Sequence, residues 1–289
     1  MKMESSVHHR IECRGAPMNL SNFSEPRFDS ARHCRPLGGV LAALARPLLR
    51  WLQRSLPQAC FLCSAPSGNA LLCGDCTSAL PRIGSACPLC GLPFESAAPC
   101  GACLARAPPF AATVAAWTYA FPVDRLLQAF KYGSALALAE PLAAELCAAL
   151  RCRPDARAEA IVALPLSRAR QRRRGFNQAH EIARRVAVSL ELPMIRGLAR
   201  VRDSPPQATL AWTARARNVR HAFVGAPSLR GRRIAIVDDV MTTGATLAAA
   251  AEAARRAGAS AVEAWVVART LPPDESRHAK RLNAITLSE

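Results

Sequence analysis

The chain is 289 residues long, which suits one large or two modest domains, and 51% of it is hydrophobic, which excludes a chain too polar to bury a core. Aromatic residues make up only 5%, so the core is expected to be built from Ala, Leu and Val. The formal net charge of +17 rests on 35 Arg and 3 Lys (Lys2, Lys131, Lys280), a balance that favours polyanionic partners, whether nucleic acid or phosphorylated small molecules. Arg is spread along the whole chain, so a compositional bias gives the same excess, and charge alone does not choose the partner.

Residues 1–36 are polar, irregular and mixed in charge, which predicts a disordered leader; its Cys13 and Cys34 are isolated. The first twenty residues hold no apolar run of the length a secretory signal needs. The apolar stretch that follows is broken by Arg46, Pro47, Arg50 and Arg54, whereas a membrane span needs about 20 mostly apolar residues. Val40, Leu41, Leu44, Leu48, Trp51 and Leu52 recur instead at helical spacing, so 37–56 is expected to be an amphipathic helix packed on the body. No transmembrane segment is expected, and the location is expected to be cytoplasmic. Twelve Cys without an export signal fit a reducing compartment, where metal binding outranks disulfides.

Eight of the twelve Cys lie between residues 57 and 107, in four C-x-x-C pairs: Cys60/Cys63, Cys73/Cys76, Cys87/Cys90 and Cys100/Cys103. The second two pairs repeat the first two at an offset of 27 residues, each half reading C-x2-C-x9-C-x2-C. Two thiolates two residues apart wrap one metal ion in a tight turn, and a second such knuckle closes a tetrahedral four-thiolate site. Four pairs in duplicated register favour two structural zinc ions over redox-active dithiols. Sequential pairing is the first choice and an interleaved cross-brace the alternative. Gly74 and Gly91 supply the freedom for φ > 0 that knuckles use.

Pro108-Pro109 punctuates the chain, and residues 108–272 then read as a second domain. Val114–Ala120 reads as a strand, Asp124–Lys131 as a short helix, and Ala135–Arg151 as a helix with Pro141 as an irregularity. Ala160–Leu164, Ile234–Val237 and Val262–Val267 are buried strands, while Asn177–Leu190 and Thr246–Ala257 are helices. Short continuous apolar strands alternating with helices predict an α/β fold, a parallel sheet covered on both faces. Residues 273–289 form a polar tail. Cys147 and Cys152 are expected in or beside a helix, and the six His (His8, His9, His33, His180, His221, His278) lack ligand spacing.

The most informative segment is Ile236-Val-Asp-Asp-Val-Met-Thr-Thr-Gly-Ala-Thr246, in which an apolar strand ends at Asp238 and Asp239 and a Thr/Gly turn opens a helix. The backbone N–H groups of Thr242, Thr243, Gly244, Ala245 and Thr246 can surround a phosphate at the positive end of that helix. Asp238 and Asp239 can accept hydrogen bonds from a vicinal diol such as ribose. No G-x4-G-K-[ST] or G-x-G-x-x-G pattern occurs, which excludes the usual nucleotide loops. Arg168–Arg174 carries five Arg in seven positions, suited to pyrophosphate or a nucleic-acid backbone, with a solvated charged loop as the bland alternative.

VDDVMTTGAT resembles the fingerprint of type I phosphoribosyltransferases, and the chain from Leu56 to about Arg269 resembles the ComF family of competence proteins. The resemblance includes the paired knuckles, Phe130-Lys131-Tyr132, Leu164-Pro-Leu-Ser-Arg168, Arg174-Gly-Phe-Asn-Gln-Ala179, Pro206-Gln207, Arg215, Asn218 and Phe223. Ser204-Pro205 departs from the family, which often has a Thr there. The resemblance implies a type I phosphoribosyltransferase-like sheet preceded by a double zinc ribbon, binding phosphoribosyl pyrophosphate with magnesium. It places Leu166, Ser167 and Arg168 at the pyrophosphate. It makes residues 200–223, with Gln207, Arg215 and Asn218, the mobile loop that closes over substrate, where Trp212 either stacks on a base or packs. It further implies a part in natural transformation, with single-stranded DNA and the DNA-uptake machinery as partners and Arg170, Arg172, Arg173 and Arg174 as candidate contacts. An active domain would be a pentosyl transferase. The alternatives are a nucleobase phosphoribosyltransferase of purine or pyrimidine salvage and a non-catalytic, ligand-sensing DNA-binding module.

Overall fold

The apolar runs pair side by side into a parallel sheet in the computed structural model, which describes residues 58–96, 98–133, 135–153, 156–201 and 221–272. The expected leader, the amphipathic helix and the polar tail lie outside these residues, as do Gln207, Trp212, Arg215 and Asn218 of the expected closing loop.

Two small ribbons come first. The strands β1 (Gln58–Ala59) and β2 (Pro66–Gly68) pair antiparallel around the first knuckle, and the short helix α1 (Gly74–Ser78) carries the second. The helix α2 (Gly101–Ala105) occupies the equivalent place 27 residues on. The duplication extends to individual hydrogen bonds. Cys60 N donates to Ala65 O at 2.7 Å and Cys87 N to Leu92 O at 2.9 Å, while Ser64 N donates to Cys60 O at 2.8 Å and Gly91 N to Cys87 O at 2.9 Å. Ser64 and Gly91 both adopt positive φ, 61° and 67°. Only the second demands glycine, because a Cβ on Gly91 would lie 2.7 Å from Thr113 Cγ2. Gly74 differs from expectation: it opens α1 in place of adopting a left-handed turn.

The main sheet has the order β3-β8-β7-β4, all parallel, with β3 (Ala112–Thr118), β4 (Ala160–Ala163), β7 (Arg233–Met241) and β8 (Ala261–Arg269). The helices α3 (Val123–Tyr132), α4 (Ala139–Arg151) and α6 (Gln178–Leu190) cover one face, and α7 (Ala245–Arg256) the other. Alternation along β7 divides the core: Ala235 and Val237 join Leu127, Leu146 and Val186, whereas Ile234 and Ile236 join Leu247, Ala250 and Ala254. The Ala-rich face of α7 packs on the sheet without long side chains. Pro141 falls in the first turn of α4, where its missing N–H has no helical partner to lose, and a 3-10 turn at Leu136–Leu138 precedes it. Cys147 is buried in α4 and Cys152 is the exposed residue at its end.

Three elements differ from the sequence expectation. The strand β7 continues past Val237 to Met241, because β8 runs beside it and pairs Asp238 with Val266 and Met241 with Arg269. The Arg-rich segment is a helix, α5 (Arg168–Arg174), in which Ser167 Oγ accepts from Arg170 N and Gly175 ends the helix at φ 79°. A short antiparallel pair, β5 (Leu198–Arg200) with β6 (Phe223–Gly225), packs on α7.

The ribbons close one side of this sheet. Thr113 N and Thr118 N of β3 donate to Pro88 O and Pro81 O, both at 2.8 Å, and Ile83 N donates to Ala116 O at 3.1 Å. Leu72 and Leu80 of the first ribbon join the apolar core. At the other side, Ile161 N of β4 donates to Pro193 O and Ile161 O accepts from Ile195 N, both at 2.9 Å. Among the described residues, no helix is long and apolar enough to cross a membrane.

Candidate functional site

Where β7 emerges from the sheet, its two acids diverge. Asp238 pairs with Val266 on the α7 face, and Asp239 falls on the side of α3. From the last turn of α3, Lys131 Nζ reaches Asp239 Oδ2 at 3.0 Å; Phe130 beside it is buried and packs on Phe176 at 5.5 Å. Burial alone would lower the Lys131 pKa, but the charge of Asp239, followed by that of Asp238, outweighs it and raises the value. Burial, and next the charge of Asp239, push Asp238 up to about 7. Lys131 is a site residue for which spacing gave no role; only its place beside Phe130 and Tyr132 marked it.

The turn after β7 is built for close backbone approach. Gly244 has φ 78°, and a Cβ there would sit 2.6 Å from Met241 Cε. Thr243 Oγ1 accepts from Ala245 N at 3.2 Å, and Ala248 N donates to Gly244 O at 2.8 Å as α7 begins. The turn thus runs into the N-terminus of a twelve-residue helix, where N–H groups and the helix dipole favour an anion.

A cavity of about 250 Å³ opens over this turn, walled by Asp238, Asp239, Thr242, Gly244 and Thr246, with Lys131, Leu166, Arg170, Arg174, Gln178 and Arg200 around them. Four cationic side chains therefore face two carboxylates, which suits a ligand bearing several phosphate charges. Gln178 Nε2 and Arg174 Nε are buried with no hydrogen-bond partner among the described residues, donors that a polar ligand would satisfy. Arg174 is positioned by Gln178 Oε1 at 2.9 Å and Tyr132 Oη at 3.1 Å, with its guanidinium 5.0 Å from the Tyr132 ring centre.

The other expected phosphate-site residues among those described fall outside this wall. Thr243 and Ala245 lie in the turn without lining the cavity, and Ser167 is buried as the cap of α5. Arg168, Arg172 and Arg173 are exposed, whereas Arg170 and Arg174, one helical turn apart, share the cavity-facing side. The Arg cluster is thereby divided between two surfaces.

The eight Cys form two groups, Cys60/Cys63/Cys73/Cys76 and Cys87/Cys90/Cys100/Cys103, with all ligand atoms within 4.8 Å of one another, so the pairing is sequential. Cys63 Sγ lies 3.7 Å from Cys73 Sγ and Cys90 Sγ lies 3.8 Å from Cys100 Sγ. Zinc–sulfur bonds of about 2.3 Å give a tetrahedral edge of about 3.8 Å, while a disulfide needs about 2.05 Å. The described Cys are all free of disulfides, and both groups fit zinc. Burial raises the Cys60 and Cys87 thiols, but backbone hydrogen bonds, from Cys73 and from Cys100 first, outweigh it and lower both to about 6. Burial, and next the neighbouring Cys87, push Cys90 up to about 11.

Comparison with known proteins agrees with this arrangement. Residues 51–104 match the double zinc ribbon domain and residues 172–285 the phosphoribosyl transferase domain. The DNA utilization protein YhgH of Escherichia coli K12 is 35% identical over 171 residues, covering 57% of this chain and 75% of that protein. Its Salmonella typhi counterpart is 35% identical over 225 residues, covering 75% of this chain and 99% of that protein. Competence protein F of Haemophilus influenzae is 34% identical over 162 residues, covering 52% and 69%.

Proposed function

The chain belongs to the ComF family, and from that premise we propose that it binds phosphoribosyl pyrophosphate in the cavity above β7 and handles single-stranded DNA during DNA uptake. The observation that carries the ligand is the combination, in one cavity, of two carboxylates, a glycine turn at a helix N-terminus and four cations. Asp238 and Asp239 hold the ribose hydroxyls, and the turn 242–246 holds the 5′-phosphate through Thr242, Gly244 and Thr246, with the Thr243–Ala245 hydrogen bond shaping the turn behind them. Leu166, Arg170 and Arg174 face the pyrophosphate, and Ser167, capping α5 beside Arg168, sets the helix that presents them. Magnesium suits such a site, because it keeps most of its waters and takes one or two carboxylates together with ligand phosphates.

If transfer occurs, the bond from ribose C1 to the pyrophosphate oxygen breaks and a bond from C1 to a nitrogen nucleophile forms, with pyrophosphate leaving. The chain then contributes position and fixed charge, the larger part of such catalysis. The relatives' names carry the DNA half of the proposal, together with the exposed Arg of α5.

Calorimetric titration with phosphoribosyl pyrophosphate and magnesium tests the ligand. Wild type is expected to bind, and Asp238→Asn with Asp239→Asn to bind at least about tenfold more weakly, the usual scale for lost hydrogen bonds to charged groups. Single-stranded DNA binding should survive both substitutions. Pyrophosphate release with free bases or single-stranded DNA separates a transferase from a sensor. A wild-type protein that ignores phosphoribosyl pyrophosphate would refute the assignment.

A further inference from the structure

We propose that Arg269 is a positioning residue that ties the second zinc knuckle to the phosphate turn, so that metal in that ribbon sets the shape of the ligand site. The ligand part of this inference rests on the reading of residues 242–246 given above; the mechanical part does not.

Arg269 ends β8 and is buried, with 4% of its surface exposed. Its Nε donates to the carbonyl of Cys90 at 2.9 Å, a metal-ligating residue of the second ribbon. Its Nη1 donates to Met241 O at 3.0 Å, to Thr242 O, and to Thr270 O at 3.0 Å. One planar cation therefore grips a ribbon carbonyl with one edge and the carbonyls at the start of the turn with another. Arg suits this because its donors are fixed in a fork, whereas a Lys ammonium is a single point on a flexible stem.

These carbonyls control the turn directly. In a trans peptide the C=O and the following N–H point in opposite directions. Arg269, helped at Met241 O by Thr270 N at 3.0 Å, thus orients the N–H groups of Thr242 and Thr243 to the far side of their peptide planes, and Thr242 O among these carbonyls is the one it holds without that help. A buried guanidinium also strongly resists losing an acceptor, since the desolvated donor is left unsatisfied. If the second knuckle unwinds without zinc, Cys90 O leaves Arg269 Nε, and the hold of the ribbon on the guanidinium is lost. The first ribbon makes no such link to the turn among the described residues; its packing runs through Leu72 and Leu80 into the core.

The experiment uses the full zinc-loaded chain and three variants: Arg269→Lys, a second-site pair (Cys90→Ser with Cys100→Ser) and a first-site pair (Cys63→Ser with Cys73→Ser). Amide exchange over residues 238–246 is expected to quicken in the first two and to stay near wild type in the third. Affinity for phosphoribosyl pyrophosphate with magnesium should fall about 3- to 30-fold in the first two, the range of mutational coupling effects. Combining Arg269→Lys with the second-site pair should cost no more than either alone, because both cut the same link. Unchanged exchange in both variants, or full additivity of their effects, overturns the proposal. If wild type does not bind the ligand while exchange responds as stated, the link stands and the ligand reading falls. Should Arg269→Lys fail to fold, the contrast between the two Cys pairs decides the question alone.

Discussion

Asp238 and Asp239 share one backbone segment yet live in different electrostatic surroundings. Asp239 forms an ion pair with Lys131 at 3.0 Å, while burial, and next the charge of Asp239, push Asp238 up to about 7. An unfolded Asp titrates near about 3.9, so the folded protein binds this proton more tightly. The stabilisation from that proton is full below about pH 4 and is lost as pH rises through about 7. Thermal melts should therefore show wild type losing stability from pH 6 to 8 relative to Asp238→Asn. In the proposed complex the ribose hydroxyls donate to the ionised carboxylate, so affinity for phosphoribosyl pyrophosphate should rise over the same window, and the Asp238→Asn profile should lack that part of the rise. Parallel profiles for the two proteins would show that Asp238 does not titrate there. The pair of acids was legible in the sequence because adjacent carboxylates before a Thr/Gly turn are conspicuous. The role of Lys131 was not, since it lies more than a hundred residues earlier and meets Asp239 only once α3 is folded onto the sheet.

At the level of elements, the apolar runs mark the strands but understate the length of β7. Val237 looked like an end because the acids that follow are poor strand formers, and pairing with β8 overrides that preference. The cluster at 168–174 carried no apolar stripe to announce a helix; Ser167 and Gly175 supply its start and stop. Its helical form puts Arg170 and Arg174 on the cavity side and leaves Arg172 and Arg173 exposed, so the two proposed contacts can be tested apart. Arg170→Ala with Arg174→Ala should weaken phosphoribosyl pyrophosphate binding. Arg172→Ala with Arg173→Ala should leave that unchanged, weaken single-stranded DNA binding, and reduce its logarithmic salt slope by about 0.7 for each phosphate no longer neutralised. Titrations at several salt concentrations measure both; DNA affinity indifferent to Arg172 and Arg173 would remove this face from the interface.

For the whole molecule, the repeat at an offset of 27 residues announced the ribbons, but nothing in it said where they would sit. They lie against β3, whose Thr113 and Thr118 N–H groups depend on Pro88 and Pro81 carbonyls. Ribbons this small draw their folding energy from metal. Chelation should thus unfold them and bare a strand margin, a known route to association. Circular dichroism is expected to keep most of the helical signal of the α/β body while light scattering rises; a chelated protein that stays monodisperse would show that the margin is guarded by something else.

The opposite margin, at β4, is shut in the same manner by Pro193 and Ile195. With metal in place, the chain itself occupies part of each flank of this four-stranded layer, which shortens the template on which another polypeptide could continue the ladder. Among the described residues, docking by copies of the protein or by other proteins is thereby steered toward helices, knuckles and the mouth of the cavity.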